Sequence, residues 1–158
     1  MIIRTTSPSH ERLTPHHQTG PAPVLVIDDD ADSAVAILAD LAEAGYPGTT
    51  VTGGDAVLRL VRAELMRLVI SELYIECAEG PCVIAALKNE RARLPRLRVV
   101  AYSRHRAPDD DAWALAAGAD SVLHKPSSAR VLVREVRRLD GAPAVEPSSW
   151  TEDQGGTP

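Results

Sequence analysis

The chain has 158 residues, 44% of them hydrophobic and 25% charged, with a net charge of −5. That length suits one domain around a single core, and the acidic balance argues against a general nucleic-acid binder. No run approaches the about 18 apolar residues of a membrane span, and Ile2-Ile3 opens no apolar signal region, so no membrane association is expected and the expected compartment is the cytoplasm.

Residues 1–20, rich in Thr, Ser, Pro, His and Gly, read as a disordered tail, with His16-His17 in solvent. A domain is expected over residues 21–140. Its first apolar run, Val24–Ile27, predicts a buried strand. The stretch 31–45 puts Ala34, Ile37, Leu38, Leu41 and Ala42 on one helical stripe and stops at Gly45. Thr49–Thr52 reads as a short β-branched strand. After Gly53-Gly54, a helix should carry Val57, Leu58, Val61 and Leu65 inward. A third strand, 68–71, leads to a helix over 81–91 with Val83, Ile84 and Leu87 on its core face. Strand 97–101 precedes a helix over 109–117, and Ser121–Leu123 forms the last strand. A helix over 127–140 closes the domain with Leu132, Val133, Val136 and Leu139 inward. Residues 141–158 hold three acids and neither lysine nor arginine, which predicts a disordered acidic tail with Trp150 exposed in it. Cys77 and Cys82 have neither the number nor the spacing of a disulfide framework or redox motif and read as plain thiols.

Five βα units imply a parallel sheet covered by helices on both faces. Right-handed crossovers then allow the flavodoxin-like, doubly wound order 2-1-3-4-5. In such a sheet, chemistry gathers at the carboxyl ends of the strands. Here those ends carry Asp28-Asp29-Asp30, Glu72, Ser103 and Lys125-Pro126.

Simpler explanations exist for each of these residues. Asp28, Asp30 and Asp32 have the first spacings of a calcium loop, but Ser33 and Ala39 stand where that loop needs Gly and Glu. Asp30 or Asp32 suits a helix N-cap, leaving Asp28 and Asp29 for a site. Lys125 is one of two lysines against 15 arginines, and its place at a strand end beside a proline argues against a solvated surface role.

Taken together, Val-Leu-Val-Ile-Asp28-Asp29-Asp30, Leu-Val-Ile-Ser-Glu72-Leu-Tyr-Ile, Ala-Tyr-Ser103 and Gly118-Ala119-Asp120-Ser-Val-Leu-His-Lys125-Pro126 resemble the receiver domains of bacterial two-component response regulators, over residues 23–140. The resemblance implies a CheY-like fold in which an aspartate ending the third strand accepts a phosphoryl group with Mg²⁺ bound beside it. It matches Asp28, Asp29, the acceptor position 72 and the backbone carbonyl of Tyr74 to the metal ligands. Ser103 and Lys125 match the hydroxyl and cation that hold the phosphoryl oxygens. It also implies a partner or dimer face across the last two helices and last strand, here Asp109, Asp110, Asp111, Trp113, Arg130, Arg134, Arg137 and Arg138. An acidic helix start beside a basic stripe is self-complementary, which suits a homodimer.

Three positions depart from that pattern: Glu72 replaces the acceptor aspartate, Val122 replaces the aromatic switch residue, and Glu76 replaces a common proline. Glutamate carries its carboxylate one methylene further out, and misplacing a reacting atom by about 1 Å can cost on the order of 100-fold. The expectation is therefore an atypical, single-domain signalling receiver, not phosphorylated at Glu72, working through contact with a histidine kinase or a downstream target. The alternative is a phosphorelay receiver that still binds Mg²⁺ and accepts a phosphoryl group from a kinase or small donor. A phosphatase is disfavoured because no nucleotide loop of the GxxxxGK[ST] kind is present. Asp28, Asp29 and Glu72 bring −3 against +1 from Lys125, and like charges about 4 Å apart repel by about 4 kcal/mol at an effective dielectric near 20. A Glu72–Lys125 salt bridge acting as a phosphate mimic, with weak Mg²⁺ binding, is the expected relief.

Overall fold

The computed structural model describes residues 21–63 and 65–141. The expected tails, with His16-His17 and Trp150, lie outside the described residues, apart from Gly141. Five strands and five helices alternate as β1 (Val24–Ile27), α1 (Ala31–Glu43), β2 (Gly48–Thr50), α2 (Gly54–Arg62), β3 (Leu68–Ser71), α3 (Val83–Glu90), β4 (Arg98–Ser103), α4 (Asp110–Ala117), β5 (Ser121–His124) and α5 (Ala129–Asp140). All neighbouring strands are parallel, in the order β2-β1-β3-β4-β5. The fold expected from the alternation is the one observed.

The two-residue period of the strands divides the core. Leu25, Ile27, Val69, Val99 and Ala101 point to the side of α2, α3 and α4, where they meet Val57, Leu58, Val61, Ile84, Leu87 and Ala114. Val24, Val26, Leu68, Ile70, Val100 and Tyr102 point the other way, onto Ala34, Ile37, Leu41, Leu132 and Val136 of α1 and α5. Burial on both faces is why β1 and β3 read as unbroken apolar runs.

Strand β4 spans Arg98–Ser103 where 97–101 is expected, and two further elements are placed differently. Strand β2 occupies Gly48–Thr50 instead of 49–52, because its pairing with β1 runs only from Val24↔Gly48 to Val26↔Thr50. Helix α2 ends at Arg62, so Leu65 is not on its core stripe and is 58% exposed. The apolar spacing continued beyond the point where the chain turns toward β3. At the start of α2, Gly54 permits a close approach: a Cβ there would lie 2.5 Å from the Glu76 carbonyl and 2.6 Å from Cys77 Cβ. The loop after β3 is thus seated on α2, and Asp55 accepts from the Ala78 amide at 3.0 Å.

Candidate functional site

The registers Ile27↔Ser71 and Ser103↔His124 set the site, since the residue after each strand end emerges on the same edge of the sheet. Asp28 follows β1, Glu72 follows β3 and Lys125 follows β5. Helix α1 lies on one face of the sheet and α2 on the other, which opens a crevice beside β1 at this edge.

Lys125 bridges the two acids. Its ammonium pairs with Asp28 Oδ2 at very short range and with Glu72 Oε2 at 3.1 Å. The three side chains are 9%, 1% and 6% exposed, so the charges are largely out of water. Both remaining oxygens are also engaged: Asp28 Oδ1 accepts from the Asp30 amide at 3.0 Å and Glu72 Oε1 from the Leu73 amide at 3.0 Å. Ser33 Oγ donates to Asp28 Oδ2 at 2.7 Å. The expected Glu72–Lys125 ion pair is present, shared with Asp28. Burial pushes the Asp28 carboxyl up, but hydrogen bonds from Lys125, Ser33 and the Asp30 amide, with the lysine charge, bring it below its ordinary range.

The rim is more open. Asp29 is 69% exposed and lies 3.9 Å from Arg104, which reaches Asp30 at 3.1 Å. Asp30 is the N-cap of α1, accepting from the Asp32 and Ser33 amides, so of the two expected capping residues it is the one that caps. Asp28, Asp29 and Glu72 each offer an oxygen within 4.8 Å of the others. Three carboxylates suit a hard divalent cation such as Mg²⁺, although Lys125 already occupies part of their accepting capacity.

Ser103 is fully buried and its Oγ accepts from the His105 amide at 3.0 Å, while its carbonyl accepts from Lys125 N at 2.8 Å. Val122 is paired beside Ala101 and packs into the α2–α4 side of the core. The aromatic ring near the lysine comes from β4 instead: Tyr102 has its ring centroid 5.4 Å from Lys125 Nζ and its hydroxyl 3.0 Å from Ser127 Oγ.

The proposed partner face is uneven. Asp109 and Asp111 are exposed, and Asp111 pairs with His124 at 3.1 Å. Asp110 is not part of the open face: it is 7% exposed, accepting from the Tyr74 hydroxyl at 2.8 Å and the Ala107 amide at 2.7 Å. These two bonds hold its carboxyl below the ordinary range, and the bond to Asp110 pushes the Tyr74 phenol up. Trp113 is half-buried, its ring 5.1 Å from that of Tyr74. On α5, Arg130 and Arg134 are exposed and Arg138 pairs with Glu135 at 2.6 Å, while Arg137 is half-buried.

Sequence reasoning missed Arg104, Ser33, Tyr102 and the Tyr74 side chain. Arg104 and Asp30 are 74 residues apart, and Tyr74 and Asp110 are 36 apart. No periodicity links such positions; only the positions of Arg104 and Tyr74, each just past a strand end, hinted at them.

Residues 24–137 match the family described as the response regulator receiver domain. Among curated relatives, Response regulator protein FleR of Pseudomonas aeruginosa is 30% identical, covering 81% of this chain and 28% of FleR. Transcriptional activator protein ExaE of Pseudomonas putida is also 30% identical, over 73% of this chain and 54% of ExaE. The chain therefore spans about a quarter to a half of these relatives. The receiver domain of the putative response regulator NarL from Mycobacterium tuberculosis superposes with a TM-score of 0.64 at 26% identity, covering 78% of this chain and 99% of that one. The Francisella response regulator 1452 receiver domain, at 23% identity and a TM-score of 0.65 over 76% and 97%, shares the fold.

Proposed function

This chain belongs to the response regulator receiver domain family, whose members are signalling modules, and from that premise we propose that it is an atypical receiver, not phosphorylated at residue 72, that passes its signal by protein–protein contact. The observation that carries this reading is the ammonium of Lys125 held between Asp28 and Glu72. A phosphoryl group on an acceptor would take hydrogen bonds from this lysine. Here the carboxylate of Glu72 takes one, so the lysine is already engaged in the direction a phosphoryl oxygen would draw it.

Asp28, Asp29 and Glu72, with the Tyr74 carbonyl as a further ligand, are the residues that would hold Mg²⁺. When bound, the ion would neutralise their negative charge. All four oxygens of Asp28 and Glu72 already accept a hydrogen bond, so binding is weak. The partner is a histidine kinase or a downstream target, met on the surface carrying Asp109, Asp111, Arg130 and Arg134 in the cytoplasm. A second copy of the chain is the other occupant that this mixture of charge would accept.

Incubation with a small phosphodonor and Mg²⁺, followed by intact-mass analysis, tests the reading. No mass increase is expected for the wild type. Glu72→Asp shortens the side chain by one methylene and should restore some phosphorylation. A clean gain of one phosphoryl group by the wild type would establish the phosphorelay alternative.

A further inference from the structure

We propose that Tyr74 is the positioning residue that couples the Glu72–Lys125 site to the start of α4, in place of a readout through β5. The proposal rests on the reading of Glu72 and Lys125 as the signalling site, but not on whether Glu72 takes up phosphate.

One set of contacts runs from Lys125 to the Leu73 amide and another from the Tyr74 side chain to α4, and the peptide between Leu73 and Tyr74 joins them. Lys125 holds one oxygen of Glu72, and the other oxygen accepts from the amide of Leu73. The Glu72 carboxylate therefore fixes both the lysine and the first peptide of the loop that follows it. One residue on, the Tyr74 hydroxyl donates to Asp110 Oδ1, and Asp110 Oδ2 accepts from the Ala107 amide ahead of α4. Withdrawal of the Glu72 carboxylate leaves the Leu73 amide without its acceptor, and relaxation of that peptide displaces the adjoining Tyr74.

The ring is held as well as the hydroxyl. His105, two residues past Ser103, meets it edge-on at 5.0 Å, and Trp113 of α4 lies against it at 5.1 Å. Tyr74 thus touches the loop after β4 and the body of α4 together. On its other side the loop is seated on α2 through Gly54 and the Asp55–Ala78 bond. Val122 on β5 is partly buried against the core and presents no hydroxyl or ring that could report the state of the lysine.

Coupling needs a non-additive measurement. The readouts are the indole Nε1–H resonance of Trp113, assigned by its loss in Trp113→Phe, and the backbone amides of Ala107, Asp109, Asp110 and Asp111, all by NMR on the full chain. Glu72→Ala perturbs the site. Its effect is measured in the wild type and in Tyr74→Phe, which keeps the ring and removes only the hydroxyl. Tyr74 is 48% exposed, so this change leaves the core intact. The expected result is that Glu72→Ala shifts the α4 signals in the wild type and that the shifts fall at least about twofold in the Tyr74→Phe background. The shifts at Asp30 to Ser33 should persist, and Val122→Ala should leave the coupling unchanged.

Equal α4 shifts in both backgrounds would overturn the proposal, as would their loss on Val122→Ala or no α4 shift in the wild type. Phosphorylation of the wild type in the mass assay would overturn the reading of Glu72 but leave this coupling standing.

Discussion

Two ion-pair networks in this molecule use the same chemistry in different solvents. At the sheet edge, Lys125, Asp28 and Glu72 are nearly enclosed. Between α2 and α3, Arg62 chelates Glu79, reaching Oε1 at 2.7 Å, and also meets Glu90 at 2.7 Å, yet its side chain is 39% exposed. The geometry of the arginine cluster is the better of the two, since a guanidinium meets a carboxylate with a matched fork. Its energetic weight is nevertheless the smaller, because water and salt stand ready to replace either partner. The buried lysine has no such replacement. Removing it leaves two carboxylates desolvated and mutually repelling.

The largest effect should come from Lys125→Met. In the presence of a chelator, urea unfolding is expected to show a loss of about 3–5 kcal/mol, the range for breaking a buried pair. Added Mg²⁺ should recover part of it, because Asp28, Asp29 and Glu72 can share the ion. A loss near zero would erase the contrast between the two networks.

Acid should act next. The folded Asp28 carboxyl is held below the unfolded value of about 3.9. A depressed folded value means that this contribution is complete above the unfolded pKa and is lost as pH falls through the folded one. The melting temperature of the wild type should therefore drop below about pH 4 more steeply than that of Asp28→Asn. Parallel curves would assign the acid lability to other carboxylates.

Glu72→Gln should change stability by no more than about 1 kcal/mol, since Lys125 keeps Asp28 and the amide oxygen can still accept from Leu73. A large destabilisation would mean that the lysine depends on Glu72 more than on Asp28. Smallest of all, Glu79→Gln should leave the urea midpoint unchanged within error, and any effect should vanish in about 1 M salt, where the screening length is about 3 Å.

The same contrast governs what could be read from the sequence. Strands β1 and β3 are buried on both faces, so their apolar runs gave their bounds directly, and the acids ending them fell where parallel pairing brings them together. Edge strand β2 has the burial pattern of a partly exposed segment, and without a two-sided core its ends were set by pairing that composition does not record. Leu65 kept the helical spacing after α2 had stopped. Asp110 is written among three consecutive acids, and nothing in that run tells which one turns inward. The Tyr74 hydroxyl selects it, and that contact exists only once α4 has docked.

Lysine is scarce in this chain, and its two copies stand in opposite surroundings. Lys88 lies on an exposed surface, with its ammonium donating to the Ala116 carbonyl at 3.0 Å, whereas Lys125 is enclosed by carboxylates. The neutral lysine amine attacks the acyl carbon of an acylating reagent and expels its leaving group, so exposed Lys88 should react freely and Lys125 only during excursions that open the sheet edge. The ratio of the two labelled peptides in a single digest then measures how often the site opens, with Lys88 correcting for reagent decay and pH. A kinase, a target or a divalent ion bound at that edge would change the ratio without any probe being introduced.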